Sequence, residues 1–339
     1  PWAARSAAIH SLEEGRTSYT SNRGMSDLRR LIGDYSRRWG HEYDPDTEIL
    51  VTSGASEAVD LALRTFISPG DTVAIHQPNY ISYRPGIQFA GGEPLAVPTS
   101  ANNDFVLTPE ALDAAGASKA ELLVLCYPNN PTGAVMTESE IRAVADYCVD
   151  NDIDVIADEI YAALTYDGEH TSIASMPGMR ERTIVINGFS KAYAMTGLRL
   201  GYALGPAGAI GSMNRVHQYT MLSAPTTAQY AAVEALRSCD DAVTEMTAEY
   251  NRRRRFVLSR FEEMGLDCFT SRGAFYAFPE CGGDDEAFAE ELLDEEGVAV
   301  VPGSVFGEGG EGHLRVSYAT GMRELKTAMN RLETFYRGR

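Results

Sequence analysis

The stretch TIVINGFSK occupies residues 183–191 and joins an apolar run to a lysine. The run Thr183–Asn187 is rich in Val and Ile, which is typical of strands buried on both faces of a parallel sheet. A lysine directly after such a strand is poorly explained as solvated surface. Lys191 is therefore a candidate amine nucleophile, with a pKa lowered by burial and nearby cations.

Further strand-like runs surround this stretch and alternate with helical patterns such as Ser56–Phe66 and Glu138–Asp150. This alternation predicts an α/β fold, in which a mostly parallel seven-stranded sheet lies between helices. Ligands of such sheets bind beyond the carboxyl ends of the strands. The other candidate strands are Glu48–Thr52, Thr72–His76, Glu93–Val97, Leu122–Tyr127, Asp154–Asp158 and Leu200–Ala203.

The character of the sequence changes after about residue 245, where a long helix rich in Arg and Glu spans roughly 241–264. A shorter mixture of strands and helices follows it. We therefore expect a large domain at 10–245 and a smaller α+β domain formed by 246–339 together with 1–9. The predicted elements of the smaller domain are the strands Phe275–Phe278, Val298–Val301 and Leu314–Tyr318, and the helices Glu286–Glu295 and Met322–Tyr336.

The charge balance is strongly acidic, with a net charge of −19 over 339 residues. Such a chain disfavours nucleic acid as a partner, because phosphates require a basic patch. Only three of the 29 basic residues are lysines, so a lysine within a motif stands out. High acidity with scarce lysine also suggests adaptation to concentrated salt, which screens self-repulsion.

Hydropathy and cysteine content indicate the compartment. No apolar run approaches the roughly 20 residues needed to span a bilayer, so we expect no membrane partner. The five cysteines include no C-x-x-C pair, which favours reduced thiols in a cytoplasmic protein over a disulfide framework or a metal site.

Two further segments join a strand to small or rigid residues. Residues 53–57, SGASE, open a helix whose N-terminal N–H groups would suit a phosphate, although an ordinary serine-capped helix explains them too. Residues 127–133, YPNNPTG, contain two prolines that fix the loop and asparagines that offer amide groups. A plain turn is the alternative for this loop.

Charged and phenolic residues lie at or near the ends of two of the predicted strands. Asp158 ends Asp154–Asp158, and Tyr161 follows three residues later. A strand-end aspartate is usually a cap, but beside a phenol it could address both the nitrogen and the hydroxyl of a ring. Arg199 lies eight residues beyond Lys191, within the segment TGLRLG.

Together these motifs resemble those of fold-type I enzymes that use pyridoxal 5′-phosphate (PLP), in particular the class I and II aminotransferases. The resemblance runs from the segment at Tyr19 to Tyr336 and points to the branch that contains many prokaryotic aspartate aminotransferases. Its most specific parts are the lysine segment with its spacing to Arg199 and the loop PNNPTG. It implies a PLP-dependent aminotransferase with a ping-pong mechanism, acting as a homodimer with shared active sites.

The resemblance also implies a role for each matching residue. Lys191 would hold PLP as a Schiff base and then act as general base and acid, while Asp158 would keep the ring nitrogen protonated so that the ring serves as an electron sink. Tyr161 and Asn130 would bind the ring hydroxyl, and Tyr80 would stack on the ring. The phosphate would be bound by Ala55, Ser56, Ser190 and Arg199, and by Tyr19 of the neighbouring subunit.

Substrate recognition is less determined. Arg315, in the segment HLRVS, matches the arginine that binds the substrate α-carboxylate, for which a guanidinium fork is well suited. Asn130 would assist it. Arg64, and Arg23 entering the pocket of the neighbouring subunit, are candidates for the distal carboxylate of an acidic substrate, although each could be an ordinary exposed arginine. On this basis we favour aspartate as donor, with 2-oxoglutarate as a typical acceptor, while aromatic, alanine or broad-range donors remain open.

The sequence departs from the family pattern at two points. Many relatives carry Ser or Thr three residues before the lysine, where this chain has Gly188. Relatives also usually extend further before the point that matches Pro1, with an arm that lines the substrate pocket.

Two alternative functions remain open. A PLP-dependent β-lyase would use the same Lys191, Asp158 and Tyr161. A non-catalytic effector domain of a transcription regulator is the other alternative, and the strong acidity of the chain and its intact catalytic residues argue against it.

Overall fold

The strands of the large sheet follow the predicted runs closely. A computed structural model describes residues 1–338. Its large sheet has seven strands in the spatial order β1-β7-β6-β5-β4-β2-β3, and it confirms the α/β prediction. These strands are β1 (Ile49–Thr52), β2 (Thr72–Gln77), β3 (Glu93–Pro98), β4 (Leu122–Cys126), β5 (Asp154–Asp158), β6 (Thr183–Gly188) and β7 (Gly201–Leu204).

Helices account for most of the remaining chain. Helix α6 begins at a capping box between Thr137 and Glu140, and α9 ends at Gly265 in a left-handed conformation. The helices are α1 (Trp2–Glu13), α2 (Ser26–Ser36), α3 (Ala55–Phe66), α4 (Tyr83–Ala90), α5 (Pro109–Ala115), α6 (Glu138–Asp150), α7 (Ala207–Thr220), α8 (Thr226–Ser238), α9 (Asp240–Met264), α10 (Asp285–Glu296) and α11 (Met322–Gly338).

Both faces of the sheet are buried under helices, as the continuous apolar runs predict. Alternate strand residues point to opposite faces, so Leu123 packs with the α5–α6 layer while Leu122 packs with the α3–α4–α7 layer. Near β1 and β7 the first of these faces is covered instead by α1, α2 and α8.

The register of the sheet brings the motif-bearing loops to one edge. Strands β2, β3, β4, β5 and β6 run parallel, whereas β7 is antiparallel to both β6 and β1. Strand β1 therefore shares the direction of β6, and Gly201 at the start of β7 lies between Thr52 and Gly188 at the ends of these strands. The carboxyl ends of β1, β2, β4, β5 and β6 consequently meet at the edge where β7 begins.

A second sheet has three antiparallel strands in the order β8-β10-β9, namely β8 (Tyr276–Ala277), β9 (Val301–Pro302) and β10 (Leu314–Ser317). It shares an apolar core with α9, α10 and α11. The predicted strand Val298–Val301 is shorter and shifted, because only Val301 reaches a position that pairs with Arg315 of β10.

Two features of the chain differ from the predicted domain division. Helix α9 is continuous from Asp240 to Met264, so the predicted boundary at 245/246 falls inside a helix. Of residues 1–9, assigned from the sequence to the smaller domain, all but Pro1 lie in α1, where Ala4 is buried against the large-sheet core that includes Leu28 and Tyr202.

None of the helices in residues 1–338 combines the length and the apolar character that a membrane span requires.

Candidate active site

A cavity of about 710 Å³ opens at the carboxyl edge of the large sheet and extends to the three-stranded sheet. All but three of the residues predicted for the site line it. These are Ala55, Ser56, Tyr80, Asn130, Asp158, Tyr161, Ser190, Lys191, Arg199 and Arg315. The topology explains the convergence, since each lies in a strand end, a loop or the first turn of a helix at the shared edge, except Arg315, which comes from β10.

Lys191 follows β6 and lies partly buried in the cavity. Its Nζ is 5.6 Å from the centre of the Tyr161 ring and 5.5 Å from that of Phe275. Burial lowers the pKa of Lys191; the Asp158 carboxylate opposes this, and the Arg199 and Arg315 guanidinium groups lower it further. The lysine is therefore biased toward the neutral amine, the form that acts as nucleophile or base.

Asp158 ends β5 at the floor of the cavity and is buried. Tyr83 donates a hydrogen bond of 2.7 Å from its hydroxyl to Oδ2, and the Ile160 amide donates one of 3.2 Å to Oδ1. Burial raises the pKa of Asp158, while these two hydrogen bonds and the Lys191 cation oppose the rise. A buried carboxylate with few partners favours a cationic group as a ligand.

Tyr161 lies three residues beyond Asp158, and its side chain is almost fully buried. Its hydroxyl is 2.9 Å from the hydroxyl of Tyr276 on β8. Burial, with the adjacent Tyr276, raises the pKa of Tyr161 well above its ordinary value, so Tyr161 is a neutral phenol that carries one proton to donate.

The loop after β4 orients two asparagines differently. Asn129 is bound within the loop, where its Oδ1 accepts hydrogen bonds from the Thr132 amide at 3.0 Å and the Thr132 hydroxyl at 2.9 Å. Asn130 faces the cavity instead, and its Oδ1 accepts a 2.9 Å hydrogen bond from Nη1 of Arg315. The internal hydrogen bonds of Asn129 fix the loop, so that the side-chain amide group of Asn130 faces the cavity, where it could also bind a ligand.

Arg315 lies between two aromatic rings, 4.8 Å from the centre of Tyr276 and 4.9 Å from that of Phe306. Its Nε is buried and makes no hydrogen bond within the described residues. Stacked rings hold the guanidinium plane, and unused donors remain for a planar carboxylate in the cavity.

An anion-binding corner forms where α3 begins. Gly54 adopts a positive φ of 83° immediately before the helix, and a Cβ there would lie 2.5 Å from Nη2 of Arg199. Arg199 is itself held by a 3.0 Å bond from Nη1 to the Thr196 carbonyl. The amides of Ala55 and Ser56 lie in the first turn of α3, so a guanidinium and a helix N-terminus meet at one point.

Three predicted residues lie outside this cavity. Arg64 pairs through Nε with Oδ2 of Asp60, a residue that lines the cavity, at 2.8 Å. Arg23 donates to the carbonyl of Thr47 at 2.9 Å. Substrate binding by Arg64, or by Arg23 in the cavity of a neighbouring subunit, stays a prediction. Tyr19 is 81% exposed and does not line the cavity.

Sequence reasoning missed two phenols that contact predicted site residues. Tyr83 lies three positions after Tyr80, a helical spacing that would place both near the same cavity. Tyr276 lies in a run predicted only as a strand of the smaller domain. No local pattern reveals its contact with Tyr161, since the two residues are 115 positions apart.

Known proteins with similar sequences and structures are aminotransferases. The chain matches a family model described as aminotransferase class I and II over residues 1–332. It is 42% identical to the aspartate aminotransferase of Pyrococcus abyssi, over 99% of this chain and 88% of that protein. It is 41% identical to aromatic-amino-acid aminotransferase 2 of Thermococcus litoralis, over 96% of this chain and 86% of that protein. The structure of an aromatic aminotransferase from Pyrococcus horikoshii matches with a TM-score of 0.97 at 42% identity, covering 100% of this chain and 92% of that one.

Proposed function

This chain belongs to the class I and II aminotransferases and is a PLP-dependent transaminase, and we propose that Lys191 is the residue that binds PLP and moves the substrate proton. The observation that carries the proposal is the position of Lys191 in one cavity with Asp158 and with the Arg315–Asn130 pair. An amine, a buried carboxylate and a guanidinium are the groups that the reaction of an amino acid on PLP needs.

The residues of the cavity fit PLP in charge and in hydrogen-bonding capacity. The corner formed by Gly54, Arg199 and the first turn of α3 suits a phosphate dianion, and a side chain at Gly54 would fill it. The buried Asp158 carboxylate suits a protonated ring nitrogen, and Tyr161 has a hydroxyl proton for the ring oxygen. Tyr80, Ser56 and Ser190 would complete the contacts.

When bound, PLP supplies an electron sink for the charge that develops when the α-proton of an amino acid leaves. The protein's part is to move and hold protons. Nζ of Lys191, whose pKa is lowered by burial, would take the proton from Cα of the substrate and deliver it to the C4′ carbon of the cofactor. Asp158 would stabilise a positive charge on the ring nitrogen, and Tyr83 fixes the Asp158 carboxylate through its 2.7 Å hydrogen bond.

Arg315 would orient the substrate through its α-carboxylate. Its guanidinium is flanked by the rings of Tyr276 and Phe306, and its buried Nε has no partner of its own. A carboxylate bound here would have its Cα held at a fixed distance from Lys191, which is the positional requirement for proton transfer.

For the amino donor, we propose L-aspartate with 2-oxoglutarate as a typical acceptor. The support is the name aspartate aminotransferase of the relative at 42% identity. Arg64 and Arg23 do not line this chain's own cavity. Arg23 of a neighbouring subunit is then the candidate cation for the distal carboxylate, since it lies four residues from Tyr19 in the sequence.

An aromatic or other apolar L-amino acid is the second candidate. One wall of the cavity is apolar, with Val59 and Leu63 from α3 and Ile81, Pro85 and Phe89 in or near α4. Such a wall would accept an apolar side chain without a distal charge. A relative at 41% identity has the name aromatic-amino-acid aminotransferase.

We also propose a homodimer in which Tyr19 contributes to the cavity of the neighbouring subunit. The support is the resemblance of its segment to the family, together with its 81% exposure and its distance from this chain's own cavity. Exposed aromatic side chains such as Tyr219 and Phe89 are also typical of interfaces.

The test is a half-reaction. The absorption spectrum of protein reconstituted with PLP is recorded before and after addition of L-aspartate without any oxoacid, and then with L-phenylalanine. We expect the spectrum to change to that of the amine form of the cofactor, with a stoichiometric yield of oxoacid. Lys191→Ala should lose roughly 10²–10⁴-fold in rate. A Lys191→Ala protein that turns over at the wild-type rate would refute the proposed role.

The same experiment separates the alternatives. A response to phenylalanine but not to aspartate would reject the aspartate proposal and select the apolar donor class. Release of pyruvate and ammonia from a donor with a leaving group at Cβ, with no oxoacid acceptor present, would instead indicate β-elimination on this scaffold.

A further inference from the structure

Tyr276 connects two parts of the site that come from different sheets. Its hydroxyl is 2.9 Å from that of Tyr161, which follows β5, while the guanidinium of Arg315 on β10 lies 4.8 Å from the centre of its ring. Tyr276 is buried, with 6% of its surface exposed. The same side chain therefore touches the proposed ring-hydroxyl contact and the proposed carboxylate anchor.

We propose that Tyr276 is a positioning residue that couples occupancy of Arg315 to the basicity of the Lys191 nitrogen, and that it acts through Tyr161. The inference rests on the proposed function, in which Tyr161 donates its proton to the ring oxygen of PLP. A phenol has one proton, so Tyr161 can donate to PLP only if Tyr276 is the donor in their mutual hydrogen bond.

This arrangement strengthens Tyr161 as a donor. A hydrogen bond received at the oxygen of a phenol polarises its own O–H group, an effect that is larger in a buried site. A stronger donor stabilises negative charge on the ring oxygen. The Lys191 nitrogen then loses its proton more readily, so it is less basic. Removal of the Tyr276 hydroxyl should therefore make that nitrogen more basic.

Arg315 controls the strength of the Tyr276 donor. Burial raises the pKa of Tyr276, and the positive charge of Arg315 opposes this rise. A carboxylate that binds Arg315 neutralises this charge, so Tyr276 becomes a weaker donor. Binding of a substrate carboxylate would then raise the basicity of the Lys191 nitrogen when a base is needed.

Other charged and titratable groups surround Tyr161, Tyr276 and Lys191, and the variants used in the test leave them in place. Asp158 and Cys126 lie beside Tyr161, Tyr80 acts on Tyr276, and Asp158, Arg199 and Arg315 act directly on Lys191. The direct effect of Arg315 on Lys191 remains when the Tyr276 hydroxyl is removed. Only the part of the coupling that passes through Tyr276 should be lost.

The experiment is a pH titration of the absorption spectrum of PLP-loaded enzyme, with and without a saturating carboxylic acid that has no amino group. Succinate and 3-phenylpropionate are the two probes. Wild type is compared with Tyr276→Phe and with Tyr318→Phe, which removes a hydroxyl from the same apolar core but outside the cavity.

We expect the spectral midpoint of Tyr276→Phe to lie roughly half a pH unit above that of wild type, as suits the loss of one neutral hydrogen bond. The shift caused by the carboxylic acid should be smaller in this variant than in wild type, while Tyr318→Phe should match wild type in both. An unchanged midpoint and an unchanged ligand shift in Tyr276→Phe would overturn the inference. A wild-type protein that develops no PLP spectrum would refute the proposed function instead.

Discussion

Arg315 and Arg64 are both arginines, but their surroundings give them different chemistry. Arg315 is held between two rings with a buried Nε that has no partner within the described residues. Arg64 is half exposed and already paired with Asp60 at 2.8 Å. Exposed pairs of this kind contribute little and are easily screened. The guanidinium that a substrate can use is the one whose donors are free inside the cavity.

Arg315→Lys should therefore raise KM for the amino donor by roughly 10- to 100-fold, because an ammonium cannot reproduce a flat, two-pronged contact with a carboxylate. Arg64→Lys is the matched control, with the same chemical change outside the cavity, and should leave KM unchanged. Steady-state kinetics with aspartate and with phenylalanine measure both. A large rise in KM for aspartate in Arg64→Lys would show that Arg64 does bind the distal carboxylate.

A second residue-scale prediction concerns Glu159, which is adjacent to Asp158 but points away from it. Its carboxylate is buried, lies 3.1 Å from Nε2 of His170 and accepts a 2.5 Å hydrogen bond from Ser172. Burial alone would raise the pKa of Glu159, but His170, His41 and Ser172 together hold it below its ordinary value of 4.5. An acid whose folded pKa is lowered stabilises the fold above its unfolded pKa, and this stabilisation is lost as pH falls through the folded pKa.

Glu159→Gln should thus be less stable than wild type at pH 7, and the difference should shrink as the pH falls from about 5 to 3. Chemical denaturation at a series of pH values gives the free energy of unfolding of each protein. Glu290→Gln, at an exposed position of α10, should follow wild type throughout. A stability difference for Glu159→Gln that stays constant over this pH range would contradict the assignment.

At the scale of elements, the N-terminus of α3 is the feature with the narrowest steric tolerance. Gly54 combines a φ of 83° with a ψ of 162°, a conformation open to glycine alone, and a Cβ would lie 2.5 Å from Arg199. Gly201 at the start of β7 packs against the same turn, since its Cβ would lie 2.4 Å from the Ala55 amide nitrogen. Close backbone contact thus forms the anion-binding corner.

Gly54→Ala should lower the affinity for PLP by about tenfold or more, because the new methyl group displaces the Arg199 guanidinium from the phosphate corner. Gly307→Ala is a matched control: its φ is 100°, and its Cβ would meet the Gln77 side chain at 2.5 Å, outside the cavity. Both variants should lose stability through strain. Titration of each folded protein with PLP tests whether only Gly54→Ala loses affinity.

At the scale of the whole molecule, the proposed dimer determines whether the site is complete. Tyr19 is separated from this chain's own cavity, and its exposure of 81% is large for a tyrosine. In an isologous dimer each subunit would present Tyr19 to the other, so the two sites would be equivalent. Lys191 and Tyr19 of one complete site would then belong to different chains.

Co-expression of Lys191→Ala and Tyr19→Ala chains tests this arrangement. Assayed at limiting PLP, each variant alone should be poorly active. The mixture should recover about a quarter of wild-type activity, because half of the dimers would be mixed and each would contain one intact site. Light scattering should give a mass of about twice 36.9 kDa. A monomeric mass, or a mixture no more active than its parents, would contradict the shared site.

The sequence by itself determined the fold class, the large sheet and most of the site. Apolar runs of Val, Ile and Leu can be buried only as strands between helices, and strand direction then brings Lys191, Asp158 and Asn130 to one edge. These features are local in the chain, or follow from topology, so a pattern of residues is sufficient to predict them.

Only the tertiary structure decided which side chains meet across the two sheets. The contact between Tyr161 and Tyr276 joins residues 115 positions apart, and the hydrogen bond from Arg315 to Asn130 joins residues 185 positions apart. The attachment of α1 to the large-sheet core likewise depends on packing with α8. Such contacts arise from packing of complementary surfaces, which no single segment encodes.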